Sequence, residues 1–221
     1  MKHLVIEKYG AKLYLMHTKE LKDESHFDEH YKSLSIARRK KVDSYMRLED
    51  KRLSLAAGIL MKKGLENYGL QEREAVVAYG ENGKPYLPEH PSIHFNLSHS
   101  GEMVLAVFAE VEAGCDIEKM QDADMELAKR FFSSGEYQYI AGQPEGKKRR
   151  EAFYRLWTLK ESFTKAAGTG FSLPLNSFEI RIMPDGRADV FHDLDVADYQ
   201  FKEIRLEEYY AAVCFRRPFY F

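Results

Sequence analysis

Segment 53–61 constrains the fold of this chain more than any other part of the sequence. Its residues are apolar on nearly every side of a helix. A helix at a protein surface keeps one polar face, so this segment predicts a helix that is buried all round. The helical pattern around it runs from about Ser33 to Gly69, where the glycine predicts the end of the helix. Other elements of the chain must therefore cover it.

Strands are predicted before and after a long helix in each half of the chain. In the first half they lie at 4–6 and 12–17, followed by a polar loop and the buried helix, and then at 75–79 and 94–97. The second half predicts a hairpin of 103–109 and 114–118, helices at 125–132, 134–141 and 150–167, and strands at 178–182, 188–191, 199–206 and 210–215. We find no sequence repeat, but the common order of elements indicates two similarly built lobes.

Composition and charge exclude several classes of protein. Of 221 residues, 44% are hydrophobic and 31% are charged, which is ordinary for a globular chain and excludes a disordered or fibrous one. Lysine and arginine number 33 against 35 acidic residues, so no overall basic field favours nucleic acid as a partner. Apolar runs are too short for a transmembrane helix, and the apolar stretch near the N-terminus is too short for a secretory signal.

Two cysteines are too few for a disulfide framework or a four-cysteine zinc site. Cys115 and Cys214 both lie in apolar runs, and we expect two small buried thiols. Together with the short apolar runs, this predicts a reduced, cytoplasmic protein that does not bind a membrane.

Two acidic residues lie two positions apart in the predicted strand 114–118. Positions i and i+2 of a strand share a face, so Asp116 and Glu118 point to one side, and Cys115 and Ile117 to the other. Two carboxylates so close repel each other unless a cation lies between them, and hard oxygen ligands suit Mg²⁺. Taken alone, the pattern is better explained by an exposed pair without a metal.

The long helix of the second half carries a second group of candidate residues. Trp157, Glu161 and Lys165 lie four positions apart and share one face. Spacing alone favours a surface ion pair between Glu161 and Lys165. The only tryptophan of the chain, one turn earlier, indicates that this face is not purely solvated.

Segment 94–101 (HFNLSHSG) contains hydroxyl and imidazole groups side by side. Ser98 and His99 could be read as nucleophile and base, but neighbouring residues of an extended segment point apart, and the chain has no Gly-x-Ser-x-Gly elbow. We therefore disfavour a hydrolase triad. A turn that presents these groups and backbone N–H groups to an anion fits better, and a polar loop with a capped turn fits equally well.

Basic residues cluster at Arg38, Arg39, Lys40 and Lys41, and Lys84 lies in a predicted turn. A charge run is usually a solvated helix face, and Lys84 fits an ordinary exposed lysine. If the carboxylates hold a metal ion, these cations become candidates to bind phosphates of the same ligand.

Three of these motifs together resemble a known family. Segments 95–100 (FNLSHS), 114–118 (GCDIE) and 157–162 (WTLKES) stand in the order and spacing of the 4′-phosphopantetheinyl transferases. The chain is similar in length to the Sfp-type members, and the resemblance runs from about residue 38 to residue 178. It includes the Lys84 turn and segment 172–175. Cys115 is a small departure, since relatives commonly carry an aliphatic residue there.

The family implies an α+β fold of two pseudo-symmetric lobes, each a small antiparallel sheet packed with a long helix. Here the lobes would be residues 1–101 and 102–221, with coenzyme A in the cleft between them. The implied reaction moves phosphopantetheine from coenzyme A to a serine of an apo acyl or peptidyl carrier protein and releases 3′,5′-ADP. Sfp-type enzymes activate peptide and polyketide synthetases in this way, and we expect a monomer.

The resemblance also implies a role for each matched residue. The ligands of Mg²⁺, or alternatively Mn²⁺, on the coenzyme A pyrophosphate would be Asp116, Glu118 and Glu161. Glu161 would also deprotonate the serine, directly or through water, and Lys165 would neutralise the leaving pyrophosphate. His99, counted with the catalytic residues, and Ser98 would hold phosphate groups. The remaining implied contacts with coenzyme A are Arg38, Lys41, Lys84 and Lys160.

Two other functions remain open at this point. A different Mg²⁺-dependent phosphohydrolase could use the same carboxylates and would need no protein acceptor. A non-catalytic coenzyme A-binding module should lack one of the carboxylates or Lys165, and here all are present.

A docking surface for the carrier is predicted in segment 122–143. Carriers of this family are acidic around the modified serine, but the chain has a net charge of only −2, so docking should depend on an exposed apolar patch. The candidate residues are Met125, Leu127, Phe131, Phe132, Tyr137 and Tyr139. The alternative is a pair of short helices packed on the core.

Overall fold

A computed structural model describes residues 2–6, 10–192 and 198–217 of the chain. The chain forms two compact units, Met1–Ala78 with Pro85–Glu110, and Tyr79–Lys84 with Val111–Phe221. Within each unit, antiparallel strands pack against helices. This confirms the α+β fold that the resemblance implied.

The first part of the chain forms a sheet and three helices. Its elements are β1 (Lys2–Ile6), β2 (Ala11–His17), a 3₁₀ helix (Thr18–Lys22), α1 (Glu24–Lys32), α2 (Ile36–Asp43), α3 (Leu48–Glu66), β3 (Ala78–Tyr79), β4 (Pro85–Tyr86), β5 (His94–Ser100) and β6 (Met103–Ala109). The antiparallel sheet has the order β1-β2-β6-β5, and β3 pairs with β4.

Helix α3 packs on this sheet and is the buried helix that the sequence predicted. Leu55, Ala56 and Leu60 are completely buried in the core of the first unit. At Gly64 the helix lies so close to β6 that an added Cβ would stand 1.9 Å from the ring of Phe108. Only a residue without a side chain allows this approach.

Three local predictions in the first unit need correction. The helix predicted for 33–69 is interrupted, because α2 ends at Asp43 and α3 begins at Leu48. Residues 18–32 are not a polar loop: they form the 3₁₀ helix and α1, whose first turn is capped by a hydrogen bond from the His26 N–H to the Asp23 side chain. The strand predicted at 75–79 is reduced to the two residues of β3.

The second unit contains one long helix over a three-stranded sheet. Its elements are β7 (Ala113–Lys119), α4 (Met125–Phe131), α5 (Ser134–Ala141), α6 (Lys147–Ala167), two 3₁₀ helices (Gly170–Ser172 and Leu175–Ser177), β8 (Glu179–Ile182), β9 (Ala188–Phe191), β10 (Tyr199–Arg205) and β11 (Tyr209–Arg216). The sheet has the order β10-β11-β7, and β8 pairs with β9. Helix α6 packs on β7 and β11 and ends, as predicted, at Gly168, which has a φ of +70°.

The predicted hairpin of 103–109 and 114–118 is wrong. Both strands exist, but β6 pairs with β5 across the turn at Gly101, whereas β7 pairs with β11. The first compact unit accordingly includes β6 and ends at Glu110, and Tyr79–Lys84 belongs to the second unit; the lobes 1–101 and 102–221 stay a prediction of the resemblance. The reason is that β6 completes the first sheet and β7 belongs to the second.

Two further expectations can be compared with the structure. Cys115 and Cys214 are completely buried, which confirms that both are core thiols. Within the part of the chain that the structure describes, no helix has the length and hydrophobicity needed to cross a membrane.

Candidate active site

A glycine determines how closely helix α6 lies on strand β7. A Cβ at Gly114 would stand 2.2 Å from the backbone nitrogen of Ala166 and 2.3 Å from the carbonyl oxygen of Ser162. Any side chain at position 114 would therefore push the helix away from the strand. Alternation along the strand places Asp116 and Glu118 on the face of Gly114, which is the face that α6 covers.

Asp116 and Lys165 form an ion pair between β7 and α6. The Lys165 Nζ lies 2.6 Å from the Asp116 Oδ1. The Asp116 side chain is 4% exposed and that of Lys165 is 30% exposed. The carboxylate thus lies inside the unit, and the lysine side chain reaches it from the solvent side.

Glu161 lies one helical turn before Lys165 and responds to the same charges. Desolvation raises the pKa of the Glu161 carboxyl, Lys165 lowers it and Asp116 raises it, so that the pKa lies above its ordinary value. Desolvation lowers the pKa of Lys165, but the charge of Asp116 and the hydrogen bond to it prevail, and this pKa is also raised. The two carboxylates therefore repel each other, and the lysine offsets that repulsion.

The three carboxylates Asp116, Glu118 and Glu161 have the chemistry that a hard divalent cation requires. Mg²⁺ prefers oxygen ligands and binds through a few carboxylates together with waters and ligand phosphates. The repulsion between Asp116 and Glu161 is the kind that a cation relieves. Among the described residues, no group of three or more His, Cys, Asp or Glu side chains is arranged to hold a metal ion. The types of residue therefore suit the ion, but in the described arrangement the ammonium of Lys165 faces the Asp116 carboxylate.

Lys160, the neighbour of Glu161, points to a different part of the unit. Its side chain is 1% exposed, and its Nζ lies 2.5 and 2.7 Å from the two carboxylate oxygens of Glu136, which is 0% exposed. Nζ also donates to the Phe178 carbonyl at 2.8 Å. A buried ammonium with three oxygen partners has no surface to offer a phosphate, so we assign Lys160 to the architecture of the unit.

Glu136 was missed by the sequence analysis. It accepts hydrogen bonds from the backbone N–H groups of Ser133 and Ile180, both at 2.7 Å, in addition to those from Lys160. Ser133 and Glu136 form a capping box at the start of α5, and the Ser-x-x-Glu spacing was a signal that could have been read. The pairing with Lys160 had no local signal. Gly114 could also have been found, because a glycine inside a strand indicates close backbone approach.

Lys84 belongs to the second unit and lies at the C-terminal end of α6. Its Nζ pairs with the Glu112 carboxylate and donates to the Ala166 carbonyl at 2.8 Å. A cation at this end of a helix satisfies a terminal carbonyl and interacts favourably with the helix dipole. The lysine therefore has a structural role here, next to the helical turn that carries Lys165.

Four other predicted residues lie in the first unit. Ser98 is buried and His99 is exposed, as expected of neighbours with opposite directions on β5. Arg38 and Lys41 lie on α2, three positions apart, and therefore on similar sides of the helix. The Arg38 Nη2 donates to the Ser54 carbonyl on α3 at 3.1 Å, which fixes the guanidinium beside that helix.

The apolar residues of segment 122–143 do not form an exposed patch. Phe132 is buried, and Met125, Leu127, Phe131, Tyr137 and Tyr139 are only partly exposed. Most of them pack against the core of the second unit, and the ring of Phe131 contacts that of Trp157 edge-on at 6.1 Å between centroids. The alternative of two short helices packed on the core is therefore correct, and the prediction of an exposed patch is wrong.

Comparison with known proteins identifies the family to which this chain belongs. Residues 112–214 match the sequence model of the 4′-phosphopantetheinyl transferase superfamily, and residues 22–111 match that of the 4′-phosphopantetheinyl transferase N-terminal region. The chain belongs to the 4′-phosphopantetheinyl transferase family. This confirms the resemblance found in the motifs, and with it the expectation of a transferase.

Relatives from Bacillus are similar over most of the chain. A 4′-phosphopantetheinyl transferase of Bacillus subtilis is 36% identical over 197 residues, 84% of each chain. The transferase psf-1 of Bacillus pumilus is 36% identical over 84% of this chain and 80% of its own, and Sfp of Bacillus subtilis strain 168 is 37% identical over 71% and 70%. A solved holo-(acyl-carrier-protein) synthase from Bacillus anthracis, in complex with CoA (3′,5′-ADP), is 18% identical with a TM-score of 0.42, covering 48% of this chain and 95% of that chain.

Proposed function

We propose that this chain transfers phosphopantetheine from coenzyme A to a serine of an apo acyl or peptidyl carrier protein and releases 3′,5′-ADP. Family membership supports the type of reaction, and the names of the relatives support this group as the one transferred. The observation that carries the proposal is the cluster of Asp116, Glu161 and Lys165, held between β7 and α6. It supplies the charges that attack on a pyrophosphate demands.

The carboxylates of the cluster are the proposed holders of a divalent ion. Asp116, Glu118 and Glu161 would bind Mg²⁺, or Mn²⁺ in its place, together with the pyrophosphate of coenzyme A. The bound ion would neutralise negative charge that develops on the phosphate oxygens. Because Asp116 and Glu118 share one face of a strand, both can contribute to a site beneath the same helix.

The helix supplies the groups that handle the proton and the leaving group. In the proposal Glu161 accepts the proton of the serine hydroxyl, directly or through a water molecule, while the serine oxygen attacks the phosphorus next to the pantetheine. The bond from that phosphorus to the bridging oxygen breaks, and Lys165 stabilises the charge left on the departing 3′,5′-ADP. The protein otherwise needs only to hold both substrates in line.

Phosphate contacts complete the proposed assignment. We retain Ser98 and His99 as ligands of phosphate groups, and Arg38 and Lys41 as contacts of the nucleotide and its 3′-phosphate. Lys84 remains a candidate, although its ammonium already has Glu112 and Ala166 as partners. To bind a phosphate, this side chain, which is 18% exposed, would have to exchange these partners for it.

A single incubation separates this proposal from its rivals. The protein is mixed with coenzyme A, Mg²⁺ and an apo carrier protein, and the carrier is weighed by intact-mass spectrometry. The proposal expects the carrier to gain one phosphopantetheine, and a carrier with the serine changed to alanine to gain nothing. Consumption of coenzyme A without a carrier would favour the phosphohydrolase, and binding without consumption would favour the coenzyme A-binding module.

A further inference from the structure

We infer that the ammonium of Lys165 occupies part of the cation site on Asp116, so that a divalent ion binds Asp116 only after Lys165 has moved away. The inference rests on the proposed function, because it takes Asp116 as a metal ligand. It adds a second role for Lys165. In the absence of coenzyme A the Lys165 ammonium keeps the ion away from Asp116, and it leaves Asp116 when the phosphates of coenzyme A bind.

The position of the ammonium leads to this conclusion. Lys165 Nζ lies 2.6 Å from Asp116 Oδ1, which is direct contact. A divalent ion on the same oxygen would stand about 2.1 Å from it. Two cations on that oxygen are only about 4 Å apart, and an ion on the second oxygen of the carboxylate would stand about 4–6 Å from the ammonium. Like charges repel at both distances outside bulk water. The ion and the ammonium therefore compete for this carboxylate.

Burial makes the competition difficult to avoid. The Asp116 side chain is 4% exposed, because α6 lies over the strand at the distance that Gly114 sets. An ion therefore has little space in which to reach the carboxylate without meeting the ammonium. Lys165, at 30% exposed, can leave towards the solvent side on its flexible stem.

A phosphate gives the displaced ammonium a new partner. When coenzyme A is bound, Lys165 can exchange Asp116 for a phosphate oxygen while the ion takes Asp116. Each ligand then makes the other bind more tightly, and the two effects are equal by linkage. The other lysine–carboxylate pair of α6 cannot behave in this way, since Lys160 and Glu136 are both buried and bind further partners.

The test measures binding of Mn²⁺ alone, by electron paramagnetic resonance of the unbound ion, in the absence of coenzyme A. Variants are Lys165→Met, which removes the charge, and Lys165→Arg, which keeps it. We expect Lys165→Met to bind Mn²⁺ at least about tenfold more tightly than the wild type, and Lys165→Arg to stay within a factor of about two. Added coenzyme A should tighten binding in the wild type far more than in Lys165→Met.

A third variant, Asp116→Asn, separates the inference from the proposed function. If it loses Mn²⁺ binding while Lys165→Met binds no more tightly than the wild type, the metal site stands and competition by Lys165 is refuted. If Asp116→Asn changes nothing, with or without coenzyme A, the proposed metal site itself fails. Circular-dichroism melting checks that each variant is folded, and Lys165→Gln replaces Lys165→Met should the latter not fold.

Discussion

Helix α6 carries two lysines, Lys160 and Lys165, that each pair with a carboxylate from elsewhere in the unit, and the two pairs differ in their exposure. Lys160 and Glu136 are 1% and 0% exposed, and every oxygen of the carboxylate has a partner within the unit. Lys165 and Asp116 are 30% and 4% exposed and lie beside the carboxyl group of Glu161. Because Lys160 and Glu136 are buried and fully hydrogen-bonded, this pair can only stabilise the fold. A pair with one accessible partner beside a second carboxylate can exchange that partner, as binding a cation and a phosphate requires.

The largest effect is expected from Asp116→Asn, which keeps the shape of the side chain and removes its charge. If Asp116 lies at the reaction centre, transfer to the carrier should slow by roughly a hundredfold or more, because a group that stabilises developing charge is lost. Initial rates of carrier loading at saturating coenzyme A measure this, with a melting curve to check the fold. Turnover close to that of the wild type would show that Asp116 does not lie at the reaction centre.

Removing one partner of the Lys160–Glu136 pair should lower the free energy of unfolding. Breaking a buried ion pair by removing one partner leaves an uncompensated charge and costs about 3–5 kcal/mol. We expect this loss in Lys160→Met, measured by urea unfolding. The double variant Lys160→Met/Glu136→Leu should regain much of it, since apolar replacement of both partners is often neutral or stabilising. No recovery in the double variant would mean that the backbone hydrogen bonds of Glu136 matter more than the pair.

Gly114→Ala tests the close packing of α6 on β7, which brings Asp116 near Glu161. The added Cβ would stand 2.2 Å from a backbone nitrogen of α6, so the helix must shift. Overpacking of this kind costs about 1–3 kcal/mol. We also expect Mn²⁺ affinity to fall, because Asp116 and Glu161 move apart. Unchanged stability together with unchanged metal affinity would contradict the role given to this glycine.

The smallest effect is expected in the first unit. Lys41→Ala and Arg38→Ala should raise the KM for coenzyme A several-fold with little change in kcat, as loss of a contact present in ground and transition states does. The loss should be smaller with dephospho-coenzyme A for the residue that serves the 3′-phosphate. Equal losses with both substrates for both variants would exclude that role.

The sequence predicted those features of the Asp116 region that depend on local periodicity. Alternation in β7 placed Asp116 and Glu118 on one face, helical spacing placed Glu161 and Lys165 one turn apart, and Gly168 marked the end of α6. Spacing had favoured Glu161 as the ion-pair partner of Lys165, whereas the carboxylate at 2.6 Å is that of Asp116. It failed where distant segments decide. The partner of β7 is β11, near the other end of the unit, and the chain offered the nearer β6 as a false partner. Lys160 appeared functional because it adjoins Glu161, whereas its partner Glu136 is 24 positions away.

The most direct test of the difference between the Lys160 and Lys165 pairs is the stabilisation that Mg²⁺ gives to two matched variants, Lys160→Met and Lys165→Met. A ligand that binds only the folded state stabilises it in proportion to its affinity. The melting temperature of Lys165→Met should rise with Mg²⁺ more steeply than that of the wild type, because the ion replaces the missing charge beside Asp116. That of Lys160→Met should follow the wild type. Equal responses of the two variants would contradict the account.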